Sequence, residues 1–191
     1  MNKIFSAALA LAVLCGPAQA EAEKYVLDAS HSQVVFSYNH LGFSTTFGMF
    51  SGFEGEILFD EANPAKSSVN VSMPVKSMFT GWEKRDAHFM SADFFAATDD
   101  DLVTFSSTSI ELTGENKANI TGDLTMNGVT KSVVLAATLN QSGNHPTANV
   151  PWAGFDATTT LVRSDFELGL AAPFVSDEVA VQISIEAQKV Q

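Results

Sequence analysis

The chain has 191 residues, with 10 Lys and Arg against 22 Asp and Glu, a formal charge of −12. So large an acidic excess makes nucleic acid and anionic lipid surfaces poor partners, because the summed field of the chain repels both. The one cysteine, Cys15, falls in the leader described next, so the remainder must be held together by its core without disulfides.

The first twenty residues read as a secretory signal peptide. Met1-Asn2-Lys3 is a short cationic start, Ile4 to Leu14 is an apolar run, and Ala18-Gln19-Ala20 is an A-x-A cleavage site. The run is shorter than the roughly 20 residues that span a bilayer, and no comparable run follows. Cys15 follows Leu14, where a lipoprotein signal wants a small residue, so ordinary cleavage is preferred to lipidation. Cleavage after Ala20 leaves residues 21–191 as one domain. Without Lys3, nine basic residues face 22 acidic ones and the charge becomes −13. A bacterial periplasm is the predicted setting.

Segments of alternating apolarity recur from there on, each closed by Gly, Asn, Asp or Pro, so the class is all-β. Tyr25 to Leu27 leads into Gln33 to Asn39, where Val34, Phe36 and Tyr38 share a face. Phe47 to Phe59 reads as one strand with Phe47, Met49, Phe53, Ile57 and Phe59 on a single greasy face, most of them expected to point inward. Ser68 to Val75 alternates again. Trp82 to Phe95 has no period of two and sets Arg85, His88, Phe89 and Ala92 at helical spacings, which predicts a short helix. In Leu102 to Leu112 the parity slips, calling for a bulge near Ser107 to Ser109. Ile120 to Met126 and Val129 to Leu139 flank Asn127-Gly128, a strong hairpin signal. Phe155 to Arg163 and Val179 to Ala187 complete about eight strands, the number a small barrel needs to enclose one ligand.

Catalytic and metal motifs are missing. The four His residues, at 31, 40, 88 and 145, show no H-x-H or H-E-x-x-H spacing, so no metal ligands are assigned. There is no G-x-S-x-G nucleophile and no phosphate-cradling Gly loop. The densest polar cluster, Glu83-Lys84-Arg85-Asp86-Ala87-His88, lies in the predicted helix. One reading makes it a polar mouth, with Arg85 and His88 a helical turn apart and facing a ligand's oxygens. The other, which is preferred, has Arg85 and Asp86 pin the helix to neighbouring strands. Phe supplies 15 of the 19 aromatic residues. With Gly42, Gly48, Gly52 and Gly55 among them, the Phe-rich stretch is able to bend and leave space beside the rings.

Several segments together resemble the YceI family of bacterial periplasmic lipid-binding proteins over Tyr25 to Val190. They are Asp28-Ala-Ser-His31-Ser32 with Val35-Phe36, Gly48-Met-Phe50, Phe53-Glu-Gly55 with Phe59-Asp60, and Arg85-Asp86-Ala-His88 with Ser91-Ala-Asp93-Phe94-Phe95. Phe105-Ser106-Ser107, Gly122 to Lys131, Arg163-Ser-Asp165-Phe166 and Asp177-Glu178-Val179 continue the series. The resemblance implies an elongated, lipocalin-like antiparallel barrel of about eight strands with a helix near one side. It also implies a long apolar pocket for an isoprenoid chain, such as a ubiquinone tail or a polyprenyl pyrophosphate, with no catalytic activity or cofactor. Departures are Phe89 after His88 where Leu is usual, Ser132 after Lys131 where Pro is common, and Glu167 where Gly often follows Asp165-Phe166.

The reading that results is a non-enzymatic periplasmic binding protein for a long-chain isoprenoid, serving transport, storage or stress response. Phe36, Tyr38, Phe47, Met49, Phe53, Ile57, Phe89, Phe94 and Phe105 are the expected pocket lining, with Arg85 and His88 at the head group. The scarcity of basic residues inclines toward a neutral head; a pyrophosphate would need Arg85, Lys84 or Arg163 to converge. Two alternatives stand beside it. One is an enzyme using His88 as acid or base, oriented by Asp86 or Asp93. The other is a solid, structural barrel acting as stress-induced partner of a membrane redox protein. A second copy of the chain, forming a homodimer, is a further candidate partner.

Overall fold

A computed structural model describes residues 21–190; the leader, the cleavage site and Cys15 lie outside the described residues. The strands are β1 (Glu23–Leu27), β2 (Gln33–His40), β3 (Ser44–Phe50), β4 (Glu54–Phe59), β5 (Ser68–Pro74), β6 (Leu102–Gly114), β7 (Lys117–Met126), β8 (Val129–Asn144), β9 (Pro151–Val162) and β10 (Glu178–Lys189). The helix α1 spans Glu83–Phe89. All pairings are antiparallel. They run β1–β4–β5–β6–β7–β8–β9–β10, and β10 returns to β1, so eight strands close a lipocalin-like barrel. β2 and β3 extend two of those wall positions. β1 pairs with β10 at Ala187 to Lys189 and β2 takes over at Ala180 to Ser184, while β3 pairs with β2 as β4 pairs with β1.

The expected single strand from Phe47 to Phe59 is two strands, and its greasy face is split. Gly52 takes φ 68° in the break, where the Ser51 amide donates to Ser77 Oγ at 3.2 Å instead of to a strand. From Phe50 to Phe53, both buried, is an odd step, so the inward parity reverses. In β3 the even residues Thr46 and Phe50 face the interior; in β4 the odd residues Ile57 and Phe59 do. Phe47 therefore points outward and is 61% exposed, and Met49, of the same parity, does not reach the cavity either, while its backbone bridges Phe79. Gly48 serves packing: a Cβ there would lie 2.3 Å from the Phe36 ring. Gly122 makes the same room for Phe105.

The other local signals hold. The β6–β7 register shifts between Ser107 and Ser109, and Asn127-Gly128 turns with φ of 52° and 74°. Glu167 adopts φ 60°, left-handed backbone that glycine enters most easily.

A 3₁₀ turn, Ala29–His31, separates β1 from β2. Asp28 caps it, accepting from the Ser30 amide at 2.9 Å, and its other oxygen lies 2.6 Å from His31 Nδ1. The bond to His31 holds the Asp28 carboxyl below its usual range, and the same bond raises His31. A depressed carboxylate stabilises the fold above its unfolded pKa and loses that contribution as pH falls. A raised imidazole contributes below its unfolded pKa and loses it as pH rises. The pair is thus worth most between about pH 4 and 6.5. Thermal unfolding of Asp28→Asn against the unaltered chain is expected to differ most in that window, less above it, where the carboxylate keeps only its Ser30 bonds and loses the charged imidazole, and to converge as pH falls below it; a pH-independent difference would refute the coupling.

Candidate ligand cavity

The core is packed most densely on one side. One buried cluster joins Val34, Phe36, Tyr38, Phe50, Phe53, Met78, Val179 and Val181, and a second joins Tyr25, Ile57, Phe59, Ala153 and Ala187. Both draw on the β1/β2, β3/β4 and β10 side. Across the barrel, Val103 and Phe105 of β6 are buried, but Ile110, Ile120, Leu124, Val133, Leu135 and Leu161 are only half-buried although they face inward. They line an empty cavity of about 1080 Å³. Its lining on β6 runs from Val103 to Gly114, which at roughly 3.3 Å per residue is about 36 Å of strand. The volume stands at the upper end of the roughly 300–1,000 Å³ usual for small-molecule sites.

Of the nine residues expected to line a pocket, Phe36, Tyr38, Phe53, Ile57, Phe89, Phe94 and Phe105 border this cavity. Phe47 and Met49 do not, for the parity reason given above. Phe89 points inward, its ring 6.3 Å from Tyr38 and 5.0 Å from Phe94. The aliphatic wall of β6 to β9 was missed. Its alternation was legible, but which of its residues meet another side chain and which meet space depends on the opposite wall. Within it, Ala118, Ala137 and Ala157 are direct neighbours across β7, β8 and β9 and form a low belt. The interior is not solid, as the structural-partner reading required.

Exposed residues reach the lining at both ends. At the helix end these are His40, Ser44, Trp82, Lys84, His88 and Leu170, with Arg85 half-buried beside them; at the far end they are Glu61, Leu112, Asn116, Lys117 and Asp156. Arg85 and His88 thus share one mouth. Asp86 pins no strand: its Oδ1 accepts from the Thr80 amide at 2.9 Å and the Thr80 hydroxyl at 2.5 Å, bracing the turn that enters α1. Arg85 Nη1 reaches the Thr80 carbonyl at 3.4 Å, and its guanidinium lies 5.6 Å from the Trp82 ring centre. His88 Nε2 pairs with Asp93 at 3.1 Å, not with Asp86, and both side chains are more than half exposed.

Arg163 is drawn away from any head group. Nε donates to the Ser176 carbonyl at 2.9 Å, Nη1 to Leu168 at 2.5 Å, and Nη2 to Val175 at 3.1 Å. Burial lowers its pKa, yet it stays charged far above neutrality. At the far end the donor atoms of Asp28, His31 and Glu186 lie within 4.8 Å of one another. They already serve the turn cap and accept the Trp152 indole N–H, at 2.8 Å on Glu186.

A closed antiparallel barrel with a long apolar cavity and a helix beside one mouth defines a lipocalin-like barrel protein. The YceI-like domain model matches residues 25–187, and the chain belongs to that family. A UPF0312 protein of Ectopseudomonas mendocina is 42% identical over 188 residues, covering 97% of this chain and 98% of that one. Among solved structures, Burkholderia cenocepacia BcnA superposes with a TM-score of 0.75 at 27% identity, covering 84% of this chain and 98% of BcnA. The Campylobacter jejuni YceI protein gives 0.71 at 28% identity, covering 80% and 90%. A polyisoprenoid binding domain from Saccharophagus degradans shares the fold, with a TM-score of 0.66 at 13% identity over 87% of this chain and 98% of that domain.

Proposed function

We propose that this protein is a periplasmic binding protein for a long-chain isoprenoid amphiphile of the ubiquinone or polyprenyl pyrophosphate type, used in its transport, storage or a stress response. The observation that carries the reading is the cavity of about 1080 Å³, apolar along its length, with polar side chains gathered at its ends. Each buried CH₂ contributes about 0.8 kcal/mol, so a prenyl chain supplies most of the affinity and the head group fixes direction. The helix-side mouth suits the head better than the far mouth. Lys84, Arg85 and His88 stand at the first, whereas Lys117 is the one Lys or Arg lining the second. With Arg163 occupied by carbonyls, a neutral quinone accepting from Arg85 fits better than a pyrophosphate.

Native mass spectrometry of protein purified from its own host, followed by lipid extraction, is expected to find a long-chain isoprenoid bound. A clean apo mass from several preparations would overturn lipid carriage. Arg85→Ala is expected to weaken binding of a prenyl quinone by about tenfold, the worth of one charge-assisted hydrogen bond. Unchanged affinity for quinone and pyrophosphate alike would remove the head group from this mouth.

A further inference from the structure

The five exposed aromatic rings among the described residues, Phe43, Phe47, Phe79, Trp82 and Phe174, all belong to the helix half of the barrel. Phe43 is 90% exposed and Phe174 76%. Neither sits on a loose loop. The Leu41 amide donates to the Phe174 carbonyl at 3.1 Å, the Ser176 amide to the Asn39 carbonyl at 2.9 Å, and the Gly42 amide to Asn39 Oδ1 at 2.7 Å. Two ring-bearing tips are thereby locked side by side. They flank the helix-side mouth, since His40, Ser44, Leu170 and Val175 around them line the cavity.

Charge is arranged on the same end. Among the described residues, Lys84 and Arg85 have no carboxylate within ion-pair distance, as is also true of Lys66, Lys117, Lys131 and Arg163, whereas Lys24, Lys76 and Lys189 are paired. Glu21, Glu23, Asp60 and Glu61 gather at the opposite end. The helix end thus sets Lys84 and Arg85, with Glu83 and Asp93 among them, beside its exposed rings. Aromatic rings mixed with Lys and Arg are the composition that lies at a membrane interface, rings among the headgroups and cations on phosphate. A second copy fits less well, because a two-fold contact through this rim brings the cations of both copies together.

We infer that the rim formed by Phe43, Phe174, Leu41, Leu170 and Trp82, with Lys84 and Arg85, docks on the surface of a zwitterionic phospholipid bilayer and sets the cavity mouth against it. The inference extends the lipid-binding reading, since it gives a prenyl chain a route that avoids water.

The test uses the chain from Glu21 onward, which contains the whole closed barrel and lacks the leader's apolar run. It is sedimented with sucrose-loaded vesicles of phosphatidylcholine and phosphatidylethanolamine. Co-sedimentation is expected, reduced about tenfold or more by Phe43→Ser with Phe174→Ser, because binding scales with apolar area inserted. Val134→Ser, at an exposed apolar position of β8 that does not line the cavity, is expected to leave it unchanged. Thermal unfolding of the double variant checks that the fold is intact. Failure of the unaltered chain to sediment, or equal loss from Val134→Ser, overturns the inference. So does a dimer at the same concentration that the rim variant abolishes, since a second copy would then cover the rim. Native mass of the same samples reads cavity loading separately. Lipid retained by a chain that does not dock refutes docking alone, and docking by a chain that never carries lipid refutes the binding reading alone.

Discussion

A chain carrying Ala137→Trp is expected to fold and to purify without long-chain lipid. Ala137 is the middle of the low belt on β7, β8 and β9, and its side chain faces the cavity, so an indole there enters empty space without displacing core. The cost of overpacking, about 1–3 kcal/mol in a filled interior, is therefore largely avoided, and the melting temperature should stay within a few degrees of the unaltered chain's. The indole instead takes the volume of several methylenes of ligand. Displacing about four of them forfeits roughly 3 kcal/mol, or about a hundredfold in affinity for a prenyl quinone. Native mass spectrometry and a titration with that quinone give the readout. Undiminished lipid in the variant would mean that the ligand lies elsewhere.

Arg163→Met is expected to lower stability by about 3 kcal/mol, seen as a drop of roughly 10 °C in melting temperature, since buried carbonyls lose charge-assisted partners. The Ser176, Leu168 and Val175 carbonyls all accept from this guanidinium, and Leu170 does so at 3.3 Å. Together they fold the segment from Leu168 to Val175 over one side of the helix-side mouth. Hydrogen exchange should therefore quicken first at the amides of Val175 and Leu41, whose acceptors, Ala171 and Phe174, lie in that segment. Arg163→Lys keeps the charge but not the planar fork, and is expected to recover only part of the loss. An unchanged melting temperature for Arg163→Met would show that water replaces the guanidinium without penalty.

Local chemistry wrote much of the architecture into the chain. Alternation marked nearly every wall strand, the Asn127-Gly128 pair marked its hairpin, and the parity slip after Phe105 marked its bulge, because each depends on neighbours only a few residues apart. The Trp82 to Phe95 segment was recognisable as helical for the same reason, by losing the period of two. Where the reading erred, the cause was also local. Gly52 inserts an odd step between β3 and β4, and a pattern of two counted through that step assigns Phe47 and Met49 to the wrong face.

What the sequence by itself determined was the class: an all-β, barrel-sized chain of marked acidity, with an aromatic-rich face and none of the common catalytic motifs. Those properties follow from composition and short-range periodicity, which need no knowledge of what lies opposite. The tertiary structure alone decided that the barrel is hollow, that its cavity lies between the Phe rings and an aliphatic wall the sequence reading had not picked out, and that Arg163 belongs to a loop and not to a ligand. Each is a matter of which distant residue faces which across the barrel. Alternation tells a side chain to turn inward, and only closure of the wall determines whether another side chain is there to meet it.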